Sequence, residues 1–103
     1  MVRSEWYSLA RDTLPAPKLA TFETRMTGAL IAYRAETAQV ISAYHESVGA
    51  TWCRYGKPST NAECQHDLNL CWEAFKASLA RASHRLDAAP AIIFVSLIRP
   101  VKA

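Results

Sequence analysis

Residues 19–55, LATFETRMTGALIAYRAETAQVISAYHESVGATWCRY, carry the pattern that decides the fold. Leu19, Phe22, Met26, Leu30, Tyr33, Thr37, Ile41, Tyr44, Val48, Trp52 and Tyr55 recur there at steps of three and four. Three positions in every eleven is about 3.67 residues per turn, close to the α-helical 3.6 and unlike the 3.5 of a left-handed coiled coil. Cys64, Leu68, Cys71, Phe75, Leu79, Ala82 and Leu86 repeat the step further on. Each stripe predicts a long, nearly straight helix with one apolar face.

Punctuation sets the expected boundaries. Pro15 and Pro17 interrupt the chain, because proline lacks an amide donor and restricts the residue before it. Pro17 also suits the first turn of a helix, so the second helix is expected over about 17–55, with Gly56 and Pro58 ending it. Gly28 and Gly49 lie inside it at about 1 kcal/mol each relative to alanine, and Gly49 is a candidate bend. Thr60, Asn61, Ala62 and Glu63 read as a capping box, in which the threonine hydroxyl and the glutamate carboxylate satisfy backbone donors reciprocally. With Ala88, Ala89 and Pro90 read as a stop, the third helix is expected over about 60–87.

Residues 5–13 predict a short first helix capped by Ser4, with Trp6, Leu9, Ala10 and Thr13 on one side. Residues 91–98, AIIFVSLI, are short and β-branched, which predicts an extended segment or a strand. The expected fold class is all-α, a single domain over residues 1–103. It is an elongated antiparallel helical hairpin with a short N-terminal helix and a C-terminal apolar extended segment or strand. On these boundaries the second helix outruns the third, leaving Leu19, Phe22 and Met26 to be covered. The first helix with residues 92–98 would cover them in a monomer, and a second copy would do so in a homodimeric bundle.

Half of the 103 residues are apolar and a fifth are charged, the composition of one ordinary globular domain. The net charge of +3 is too mild to argue for nucleic acid. Its distribution is uneven. Residues 1–34 hold five cations and three anions, residues 35–75 two and five, and residues 76–103 five and one. The first residues lack the apolar core of a secretory signal, and the seven-residue run 92–98 is too short to span a membrane. A cytoplasmic location with no membrane contact is therefore expected, and three cysteines fit reduced thiols there.

The sequence offers little chemistry. Cys64 and Cys71, about 10.5 Å apart along a helix, are too distant to share a zinc ion, and His66 points away from both. Cys53 and Cys64 flank the hairpin turn and leave open a bridge across it. No glycine-flanked serine, glycine-rich phosphate loop or paired histidine motif is present, and His45, His66 and His84 occupy different turns. The expectation is a protein without catalytic residues, metal or cofactor.

Surface and charge remain. In a hairpin, Lys18, Arg25, Arg34, Lys76, Arg81, Arg85, Arg99 and Lys102 would gather toward the open end, with Glu46, Glu63, Asp67 and Glu73 toward the turn. Such a layout steers encounter with a charged partner. Trp72 lies off the centre of its stripe and is the natural aromatic anchor. The expected partner-binding set is Arg25, Arg34, Trp72, Lys76, Arg81 and Arg85. The function this suggests is a protein-binding module whose partner has an acidic or nucleic-acid-associated surface. A small regulator or inhibitor of a host-defence nucleic-acid-handling complex is one concrete form. Direct nucleic-acid binding through the basic end and a structural subunit of a helical-bundle oligomer are the alternatives.

Overall fold

The computed structural model describes residues 1–57 and 60–99. Three helices make up the fold, α1 (Arg3–Thr13), α2 (Ala16–Tyr55) and α3 (Ala62–Ile98), with no strand among the described residues. The fold is all-α, and α2 and α3 pack as an antiparallel hairpin. Sequence order reverses across their seam, where Tyr55 meets Asp67, Thr51 meets Cys71 and Tyr44 meets Phe75.

The helix ends differ in detail from their sequence signals. α1 begins at Arg3, with Val2 in the cap position and no side-chain cap, so Ser4 lies inside the helix. At the start of α3 the side chain of Asn61 accepts from the backbone N–H groups of Glu63, at 2.7 Å, and Cys64, at 3.4 Å. Asn61 thus takes the place expected of Thr60, since its short side-chain amide oxygen reaches the orphan donors of the first turn. Gly56 closes α2 at φ +79, the left-handed conformation that glycine adopts without steric cost, while Pro58 lies outside the described residues. α2 stays helical through Gly28 and Gly49, and a methyl group added at either would meet nothing within 4 Å.

The largest departure is at the C-terminus. α3 does not stop before Pro90 but runs 37 residues to Ile98, so residues 91–98 are helical and not extended. The proline removes one backbone hydrogen bond and crowds the preceding turn. Side-chain burial offsets that cost: Pro90 and Phe94 are buried, and Ala89, Ile93 and Leu97 pack against the same core. At about 1.5 Å per residue α2 and α3 are nearly equal in length, about 60 and 56 Å.

The chain forms two compact units, one of Met1–Tyr33 with Ser83–Ala103, the other of Arg34–Ala82. The first is a three-helix packing of α1, the start of α2 and the end of α3. Its core holds Ala10, Leu14, Phe22, Met26 and Phe94, with Trp6, Tyr7, Leu9 and Leu19 packed on it. Tyr7 meets Phe22 edge-on at 5.5 Å, and Trp6 meets Phe94 at 5.7 Å. Phe22 and Met26 are fully buried, so α1 and the final turns of α3 supply the cover they need.

The second unit is a two-helix seam. Thr51, Cys64 and Ala82 are buried in it, and Val40, Tyr44, Val48, Leu68, Cys71, Phe75 and Leu79 are half-buried. The expected stripe drifts by one position here, since Val40 faces inward and Ile41 is 45% exposed. Cys53, Cys64 and Cys71 are all free thiols.

Two stability measurements follow. In a strand, residues 92 and 94 would share a face; in α3 Ile92 is 67% exposed and Phe94 is buried. Phe94→Ala should cost about 3 kcal/mol by urea unfolding and Ile92→Ser less than about 0.5, and equal losses would contradict the helix. Asn61→Ala should cost about 1 kcal/mol, while Thr60→Ala should leave the unfolding midpoint in place.

Candidate functional site

A two-helix layer can bury only its seam, so apolar side chains on the flanks of the second unit stay in contact with water. On one flank they form a shelf of three rings. Trp72 stacks on Phe75 at 5.5 Å and 29°, both rings lie against Tyr44, at 6.0 and 4.6 Å, and Tyr44 in turn meets His45 edge-on. Trp72 and Phe75 are three apart in α3, and therefore neighbours on its surface, while Tyr44 reaches them across the seam. Trp72 remains 46% exposed.

Charge is built into the shelf. The ammonium of Lys76 lies 5.9 Å from the centre of the Trp72 ring and 3.0 Å from the carboxylate of Glu73. Lys76 follows Trp72 by four residues and Glu73 by three, so one turn of α3 carries the ring, the cation and the anion. The surface therefore offers a flat aromatic face edged by a paired charge.

Nearer the connection the seam is polar. The hydroxyl of Tyr55 donates to Asp67 at 3.0 Å, and the Arg54 guanidinium lies 3.7 Å from the same carboxylate. The hydrogen bond to Asp67, with lesser contributions from desolvation and from the negative charge of Asp67 and Glu63, raises the Tyr55 pKa above its ordinary 10.0; Arg54 opposes the shift. Thr51 donates to the Ser47 carbonyl at 2.9 Å, sits 3.8 Å from the Cys71 sulfur and accepts from Arg54 at 3.4 Å, which satisfies a buried hydroxyl. These contacts bind the two helices near their connection.

Among the residues singled out from sequence, Trp72 and Lys76 come together on the shelf. Arg34 and Arg81 belong to the same unit and are exposed, with Arg81 donating to Ser78 at 3.0 Å. Arg25 and Arg85 belong to the first unit, where Arg25 donates to Ser96 at 3.2 Å. Lys102 lies outside the described residues. Tyr44 and Phe75 join them although their stripes mark them only as core; the signal that sets them beside Trp72 is their place on facing stripes at matching distances from the turn. Among the described residues no group of three His, Cys, Asp or Glu side chains is placed to hold a metal ion, and no helix is long and apolar enough to cross a membrane. No protein-family model, curated protein or solved structure matches the chain.

The raised Tyr55 pKa sets a pH dependence. Below pH 10 both folded and unfolded chains keep this proton, and its contribution to stability is present in full and independent of pH. Above pH 10 the unfolded chain releases the proton first, so the contribution is lost as pH rises. The difference in tyrosinate absorbance between wild type and Tyr55→Phe should show Tyr55 ionising late, and Asp67→Ala should return it to the ordinary range. Tyr55→Phe should flatten the alkaline fall in urea midpoint; an unchanged fall would remove Tyr55 as its source.

Proposed function

We propose that this protein is a non-catalytic protein-binding module, a small regulator or inhibitor that acts by occupying a surface of a larger assembly. The observation that supports this reading is the half-exposed Trp72, held flat on Phe75 and Tyr44 with Lys76 beside it. Binding energy at protein interfaces concentrates in aromatic and arginine side chains that are already rigid before contact. A tryptophan fixed by two neighbouring rings loses little rotamer freedom when a partner covers it. Its indole N–H, like the Lys76 ammonium, supplies direction at the rim.

The partner this chemistry favours is a protein presenting an apolar pocket edged by carboxylates. The pocket would take the indole ring and the carboxylates would draw Lys76 away from Glu73. Salt dependence should be modest, since only one cation of the shelf is engaged. Direct nucleic-acid binding, the other reading, requires several phosphate contacts and a steep loss of affinity with salt.

Affinity capture from the native host followed by mass spectrometry tests the proposal. The wild-type chain should retain a protein that Trp72→Ala and Lys76→Glu both release, with circular dichroism and melting temperature of Lys76→Glu unchanged. Capture that survives both substitutions would rule out the shelf. Binding to a DNA or RNA duplex at about 50 mM salt, lost by about 200 mM, would favour nucleic acid instead.

A further inference from the structure

Trp52 belongs to the apolar stripe of α2, yet it is only half-buried. Its position follows from one contact across the seam, where the Thr51 hydroxyl sits 3.8 Å from the Cys71 sulfur. Trp52 is the residue after Thr51, and Trp72 is the residue after Cys71. Each step turns the side chain by about 100° in the same sense, and on antiparallel helices equal turns emerge on the same side of the seam. The two indoles therefore share one flank, at levels about 3 Å apart along the hairpin.

Each indole carries a lysine. The Lys57 ammonium lies 5.8 Å from the centre of the Trp52 ring, and the Lys76 ammonium lies 5.9 Å from that of Trp72. α2 ends at Tyr55, and the left-handed turn at Gly56, φ +79, directs Lys57 back toward a ring five residues before it. Lys76 follows Cys71 by five residues, and Lys57 follows Thr51 by six. Because the helices run in opposite directions, the two cations depart from the tryptophans toward opposite ends of the flank. Their places on the hairpin are about 16 Å apart. The flank thus presents two indoles in the middle and one ammonium at each end.

We propose that the binding surface continues past the Trp72 shelf to Trp52 and Lys57, and that it takes a segment of a partner protein with two apolar side chains set between two carboxylates. This rests on the reading of the shelf as the partner site and adds its second anchor. The indoles receive the apolar side chains and the lysines the carboxylates, so the segment is held at both ends. The shelf alone engages one cation; the extended surface engages two. Charge separates this occupant from the others. A second copy laid on the flank in either direction brings a lysine against a lysine at each end, which like charges oppose. Single-stranded nucleic acid also stacks on aromatic side chains, but it needs a cationic track along its backbone, and here one of the two cations is already held by Glu73 at 3.0 Å.

The test uses the full chain and two synthetic peptides of about 12 residues, long enough as helices to place their ends about 16 Å apart, each with two leucines in the middle. The first has a glutamate near both ends; the second has one of those glutamates replaced by lysine. By fluorescence anisotropy the first should bind, weakening as salt is raised, and the second should bind roughly tenfold more weakly. Lys57 is exposed, so Lys57→Glu should leave the melting temperature in place while weakening the first peptide roughly tenfold and strengthening the second. Trp72→Ala should weaken both. If Trp72→Ala and Lys76→Glu weaken the first peptide and Lys57→Glu moves neither, the extension is overturned and the shelf remains. Binding unmoved by Trp72→Ala, or no binding of the first peptide, would remove the extension and the shelf together. A concentration-dependent dimer in sedimentation that Trp72→Ala abolishes would assign the flank to a second copy and overturn the proposal. Displacement of the first peptide by a single-stranded oligothymidylate would likewise overturn it.

Discussion

The packing of Phe94 and its neighbours on Phe22 and Met26 is the contact on which the rest depends. These side chains come from opposite ends of the sequence, and α1 closes over them through Trp6, Tyr7 and Ala10. Burying large apolar side chains is worth roughly 1.5 to 3 kcal/mol each, so a cluster of this size exceeds the cost of one proline inside a helix, about 3 kcal/mol. That inequality keeps α3 helical through Pro90. It also fixes the side on which Ile92, Val95 and Ile98 are left uncovered.

The two units solve different packing problems. With three helices, the first encloses a core whose central side chains are out of water. With two, the second can only seal a seam, and it does so with small or polar-tipped residues at the tightest points, Thr51, Cys64 and Ala82. The aromatic rings of Tyr44, Trp72 and Phe75 share one flank of that seam and stay partly in water. Nearer the connection, Tyr55, Asp67 and Arg54 hold the helices together through a hydrogen bond and charge.

The periodicity of the second stripe extends past the proline. After Leu86 the same steps of three and four continue through Pro90, Ile93 and Leu97, all of which face the core or lie partly within it. Local rules stopped the helix at the proline and assigned the β-branched run to a strand, since both weigh each residue against its immediate neighbours. The cap at Asn61 was displaced by one residue for a related reason: Thr60 and Asn61 are both good capping residues, and backbone geometry selects between them. For the candidate site, the stripe displaced Trp72 from the core and spacing placed Lys76 one turn after it. The stacking of Trp72 on Phe75 and Tyr44 depends on the register between two helices, which no single helix encodes.

By itself the sequence determined that two long helices form, where their connection falls and which face of each is apolar, because these follow from a period near 3.6 and from glycine and proline punctuation. Tertiary structure alone decided that α3 carries on to Ile98, that Phe22 and Met26 are covered within the chain, and that Arg25 reaches Ser96. Each of these joins residues far apart in sequence, and contact energy of that kind is absent until the chain has folded back on itself.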